Sequence, residues 1–185
     1  MRLFNAAVTG LVLSLAPISF ASLSLAEGDH LLTPVTGSHG IDLKFYDHAI
    51  SGSIRDFVIF GNKDGANSEL LMKRDGQLIR ATFGRNTDNG TTGGTITHQV
   101  DGQDRVTTLT FVSANAAANT FSIKVNDEVV ALTIESDGMD GNHYINPRYT
   151  GTYKGETVTW KIENGAACMG CSVHVAFWIL GALAH

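Results

Sequence analysis

The chain has 185 residues, 13 Lys plus Arg against 18 Asp plus Glu, and a formal net charge of −5. Apolar residues make up 43% of it and charged residues 17%, which excludes a disordered chain; the lack of a basic excess excludes electrostatic binding of nucleic acid. Two cysteines are too few for a small disulfide-stapled scaffold, and the length suits one domain with its own core.

Met1-Arg2-Leu3-Phe4-Asn5 precedes an apolar run from Ala6 to Phe20, interrupted by Gly10 and Pro17. Ser24 and Ala26 set small residues at the −3 and −1 positions of a cleavage site. A charged start, an apolar stretch and a small-residue exit predict a secretory signal peptide over 1–26. The run is too short for a membrane span. The expected product is a secreted, extracellular protein with one domain over 27–185.

From Ile41 to Ile162, short runs rich in Thr, Val, Ile and Phe are separated by Gly, Asn and Asp. The predicted strands are 41–46, 54–60, 68–73, 77–83, 94–100, 105–112, 120–126, 128–135, 149–153 and 156–163. Phe121, Ile123 and Val125 alternate cleanly with polar residues, as do Val158, Trp160 and Ile162. Asp75-Gly76 predicts a tight hairpin turn, and Asn126-Asp127 a second. Such a series of one-faced strands predicts an all-β domain, a sandwich or a closed barrel.

Three stretches tilt that choice. Phe57-Val-Ile-Phe-Gly-Asn62, the hairpin Ser68–Gly84, and Phe121–Ala131 follow the rhythm of laminin-G and concanavalin-type domains, which they resemble over about 75 residues. The resemblance implies a single antiparallel β-sandwich, jelly-roll or laminin-G/concanavalin-like, with carbohydrate or calcium binding. Asn126-Asp127-Glu128 replaces the usual glycine turn of those domains, and the Glu-x-Asp-x-x-Glu signature of their catalytic members is missing.

Three segments carry candidate chemistry. Ser136-Asp137-Gly-Met-Asp140-Gly-Asn142-His143 is an acidic, Gly-rich loop. Asp137, Asp140 and Asn142 could supply oxygens to a calcium ion, or simply build a turn. His143-Tyr144-Ile-Asn-Pro-Arg148-Tyr149-Thr-Gly-Thr-Tyr153 gathers three Tyr, one His and one Arg. Rings stack on sugar faces, and Arg and hydroxyls donate to sugar oxygens, so His143, Tyr144, Arg148, Tyr149 and Tyr153 form the expected ligand-binding set; the alternative is rings packed over a sheet edge. Cys168-Met-Gly-Cys171 predicts a local disulfide in an oxidising compartment. Two other readings stay open. A redox-active pair would normally open a helix in a parallel α/β fold, and the sequence pattern shows neither. A metal site could use Cys168, Cys171 and His174, with His143 or His185.

The tail over 173–185 has ten apolar residues among its thirteen. It reads as a core strand, with Val173, Val175, Phe177 and Ile179 on one face. The alternatives are a removable lipid-anchor signal after Gly165-Ala166-Ala167, or a membrane- or partner-binding tail.

These features favour a secreted, non-catalytic binding protein for extracellular carbohydrate or a cell surface. A second expectation is a membrane-directed cytolysin-like or surface-anchored coat protein acting through the apolar tail. A third is a polysaccharide-active enzyme using His98 with Tyr144 or His143. No Gly-x-Ser-x-Gly elbow supports nucleophilic catalysis, and no catalytic residue, certain cofactor or oligomeric state is assigned.

Overall fold

The computed structural model describes residues 31–46, 49–64, 67–86, 90–100 and 103–185. The predicted signal peptide over 1–26 lies outside the described residues. In chain order the elements are β1 (Leu31–Gly37), β2 (Asp42–Tyr46), β3 (Ala49–Ile54), β4 (Phe57–Asp64), β5 (Asn67–Arg74), β6 (Gln77–Asn86), β7 (Gly90–Val100) and β8 (Gln103–Asn115). Then follow β9 (Thr120–Val125), β10 (Glu128–Glu135), β11 (Gly138–Asp140), β12 (His143–Ile145), β13 (Arg148–Tyr153), β14 (Glu156–Ile162), β15 (Ala166–Cys168) and α1 (Met169–Leu183).

Twelve of these strands form a closed antiparallel barrel in the order β1-β14-β13-β10-β9-β8-β7-β6-β5-β4-β3-β2. The sandwich expectation is therefore corrected. Each strand from β1 to β10 pairs with its chain neighbour, and β14 returns to β1 through Val35↔Ile162 and Gly37↔Trp160. One buried face per strand is required by both architectures, so alternation alone could not separate them. The local turns behave as read. Asp75 and Gly76 both take positive φ, 49° and 81°, between β5 and β6. That is the backbone of a two-residue turn whose twist matches the strands.

Alternation sets the polarity of the wall. In β10, Val130, Leu132 and Ile134 are buried, while Ala131, Thr133 and Glu135 are exposed. In β13, Tyr149, Gly151 and Tyr153 face inward and Arg148, Thr150 and Thr152 outward. In β13 the outward side chains are therefore polar and the inward ones aromatic or absent.

The C-terminal tail is a helix and not the expected strand. Eight-stranded barrels are filled by wall side chains alone, whereas a wider one leaves a lumen. The helix α1 occupies that space, packing against β3, β7, β8 and β9. Eleven of its residues, from Ser172 to Leu183, are buried, and its first and last turns carry no charge to face solvent. A helix that is apolar all round belongs in a core. At one end the Tyr149 hydroxyl lies 2.7 Å from Ser172 Oγ; at the other, Lys154 Nζ donates to the Ala184 carbonyl at 3.3 Å. Thus the two ends of α1 are tied near the two ends of β13. Phe177 meets Phe83 edge-on at 5.8 Å, and Trp178 stacks on Phe45 at 5.4 Å. Gly181 lets the helix approach the wall, since a Cβ there would lie 2.8 Å from Ile96 Cδ1. The apolar tail, one of the two features behind the membrane-directed expectation, is thus enclosed by the barrel. Among the described residues no helix is long and apolar enough to cross a membrane.

Candidate functional site

A separate three-stranded sheet, in the order β11-β12-β15, carries Asp140, His143, Tyr144 and Cys168 among the residues singled out from sequence. The acidic loop is a hairpin, with Gly141 at φ 58° in its turn. Asp137 immediately precedes β11 and Asp140 is its last residue, so they sit about 10 Å apart at normal strand rise. Asp137 is already engaged: its Oδ1 accepts from Arg148 Nη1 at 2.8 Å and its Oδ2 from Asn146 Nδ2 at 3.0 Å. These bonds hold its carboxyl below the usual carboxylate range, and the same pairing raises the Arg148 guanidinium. Of the expected calcium set of Asp137, Asp140 and Asn142, Asp137 is thus committed to Arg148 and Asn146. Among the described residues, no three His, Cys, Asp or Glu side chains gather as a metal site.

The aromatic stretch is divided by the barrel wall. Tyr149 is fully buried, stacked on Trp160 at 5.0 Å and edge-on to Phe121 at 6.4 Å. Burial pushes its hydroxyl well above the ordinary tyrosine range. Tyr153 is 5% exposed and Tyr144 is 3% exposed, with the Tyr144 hydroxyl donating to Asn119 Oδ1 at 3.3 Å. These rings cannot form one sugar-stacking surface. Alternation explains it: Tyr149, Gly151 and Tyr153 occupy the inward positions of β13. Arg148 and His143 remain exposed. The His98 side chain lies outside the described residues.

Cys168 and Cys171 stand at disulfide-bonding distance, as expected, with Cα atoms 5.1 Å apart. They occupy the junction of β15 and α1. Cys168 is the N-cap of the helix, and its Sγ accepts the Cys171 N–H at 3.1 Å.

A site missed by sequence reading lies on the outer wall. A groove of about 630 Å³ crosses β5, β6, β7 and β8. Glu69, Thr82, Thr95 and Thr108 lie in register along it, with Thr110 and Gly93 in the adjoining row. Gly93 leaves part of its outward row without a side chain, and the inward-facing row of Phe83, Gly94 and Leu109 lies beneath it. Gly93-Gly94 lies inside strand β7, where glycine marks a close approach. A Cβ on Gly94 would collide with the Phe83 ring.

With this geometry in view, the chain was compared with protein-family models, curated proteins and solved structures, and no match was found.

Proposed function

We propose that this chain is a secreted, non-catalytic recognition protein that binds extracellular carbohydrate on its barrel wall. The observation that carries this reading is the groove over β5–β8. Its volume, about 630 Å³, is in the range of small-ligand sites. One carboxylate, Glu69, and the hydroxyls of Thr82, Thr95, Thr108 and Thr110 are matched to sugar hydroxyls, which both donate and accept. Recognition belongs on the outside because α1 fills the lumen where a barrel would otherwise hold a ligand. Secretion rests on the leader-like Met1–Ala26 segment.

A glycan array probed with the secreted chain, followed by titration calorimetry on the hits, tests this. Thr95→Trp fills the groove from an exposed position, and Glu69→Gln removes its charge. Each is expected to weaken binding about tenfold or more, equivalent to ~1.4 kcal/mol. Unchanged affinity in both variants would refute the groove; intact mass of the secreted product checks the cleavage after Ala26.

A further inference from the structure

We propose that the Cys168–Cys171 pair is a thiol–disulfide exchange centre that oxidises dithiols, with His143 as its positioning partner. The reading is independent of carbohydrate binding.

Four observations converge on this. The Cys-x-x-Cys segment opens a helix: Cys168 takes extended backbone, φ −72° and ψ 164°, and α1 begins at Met169. Sulfur stands where a helix would ordinarily carry a Ser, Thr, Asp or Asn cap. Its Sγ receives the Cys171 N–H at 3.1 Å and faces the positive end of the helix dipole. A thiolate at Cys168 is stabilised by both.

Next, the small sheet aligns a charge partner. His143 pairs directly with Cys168 across β12 and β15, and Asp140 pairs with His143 across β11 and β12. Directly opposed residues project to the same face, so Asp140, His143 and Cys168 form one row. The neighbouring row, Tyr144 and Ala167, is buried, which turns the Asp140–His143–Cys168 row outward. Protonated, the imidazole adds a positive charge beside the Cys168 sulfur, with Asp140 next in line along the row. The first turn of α1 contributes no acidic residue against the thiolate.

The third observation is access. Cys171 is exposed and Cys168 partly buried, so an incoming thiolate reaches Cys171 first. The fourth is that the pair contributes little to holding the chain together. A bridge with a sequence separation of 3 closes a minimal loop, and the constraint on the unfolded chain grows with loop length. The helix start is fastened separately, because Ser172 Oγ donates to the Cys168 carbonyl at 3.0 Å and meets the Tyr149 hydroxyl at 2.7 Å.

The exchange balances as follows. A substrate thiolate attacks Cys171 Sγ; the Cys168–Cys171 bond breaks, and its electron pair leaves on Cys168 Sγ as the stabilised thiolate. A low-pKa leaving thiol departs faster. The second substrate thiol, deprotonated, attacks its own sulfur in the mixed disulfide. The substrate disulfide forms, and Cys171 departs as a thiolate that takes a proton from water. Two electrons pass from the dithiol to the protein. A low-molecular-weight disulfide restores the pair by the same steps reversed.

Two measurements on the full chain test this. First, reduction by dithiothreitol is followed by alkylation and intact mass, folded and in guanidinium. The folded pair is expected to react about tenfold faster than the unfolded one, because the leaving thiolate is stabilised only in the fold. Slower reduction in the folded chain would overturn the proposal. Second, in Cys171→Ser the alkylation rate of Cys168 is measured against pH, with near-ultraviolet circular dichroism reporting the fold. The half-point is expected at least one pH unit below the ~8.5 of free cysteine. His143→Ala should raise it and His143→Lys should restore it. A half-point at or above that of free cysteine, or one indifferent to His143→Ala, would also overturn it. Glu69→Gln and Thr95→Trp should leave both measurements unchanged, since they lie on the other site.

Discussion

The lumen of the barrel and the small sheet β11–β12–β15 solve opposite problems with residues from neighbouring stretches of sequence. In the lumen, α1 and the inward wall positions exclude water, and position there is enforced by packing. Phe177 against Phe83 and Trp178 against Phe45 have well-defined ring geometries. In the small sheet, three-residue strands present polar side chains to solvent and are held by exposed contacts such as Asp137 with Arg148. Burial makes the first region intolerant of change. Exposure makes the second available for chemistry, because charges and thiols remain within reach of solutes. The two regions meet at Ser172, where a buried hydroxyl pair fixes the start of α1 right beside the exposed Cys171.

The sharpest way to break this contrast is to hollow the lumen. Phe177→Ala should cost about 3–5 kcal/mol, the usual penalty for a buried aromatic ring, measured by urea unfolding. A loss below about 1 kcal/mol would mean that α1 does not hold the barrel open. Next comes the junction. Ser172→Ala leaves the buried Tyr149 hydroxyl without its partner and should cost about 1–3 kcal/mol; adding Tyr149→Phe should recover much of that loss.

The same hydroxyl supplies a pH test with a definite sign. The fold raises the Tyr149 phenol above its ordinary value of 10.0, so the protonated form is favoured in the native state. Its contribution is present below pH 10 and is lost as pH rises beyond it. Ultraviolet titration should show one tyrosine that ionises only on unfolding.

Smaller effects are expected in the exposed sheet. Arg148→Ala should leave stability nearly unchanged, as is usual for surface ion pairs. It should nevertheless move the Asp137 titration. With Arg148 present, the Asp137 carboxyl titrates below 3.8, and its contribution holds above that pH and fades as pH falls through the lowered midpoint. Carboxyl-carbon NMR of the variant should show the midpoint returning toward 3.8. A large stability loss with no change in that midpoint would invert the comparison between the two regions.

Much of the wall was legible from residues alone. Phe121, Ile123 and Val125 alternate because a half-buried strand requires it, and Asp75-Gly76 turns because both positions take positive φ. The strands at 31–37 and 49–54 went unread: Thr33, Pro34, Ser51 and Gly52 dilute the apolar signal, and Gly52 packs against the β2 backbone. The candidate site was less legible. Tyr144, Tyr149 and Tyr153 look alike in sequence, and only the register of β12 and β13 shows that all three face inward. The groove escaped notice because its Glu69, Thr82, Thr95 and Thr108 come from four strands.

The sequence by itself determined that the middle of the chain is antiparallel β, where its tight turns fall, and that Cys168 and Cys171 are close enough to pair. These are local matters, decided by side-chain period, turn chemistry and spacing. The closure of twelve strands into a barrel, the burial of the tail as α1 and the alignment of Asp140, His143 and Cys168 were decided only by tertiary structure. The reason lies in the tail: a continuous apolar run satisfies helix and strand equally until its surroundings are known. Enclosed by a wall with no free edge to pair with, it must satisfy its own backbone hydrogen bonds, and a helix is the conformation that does so.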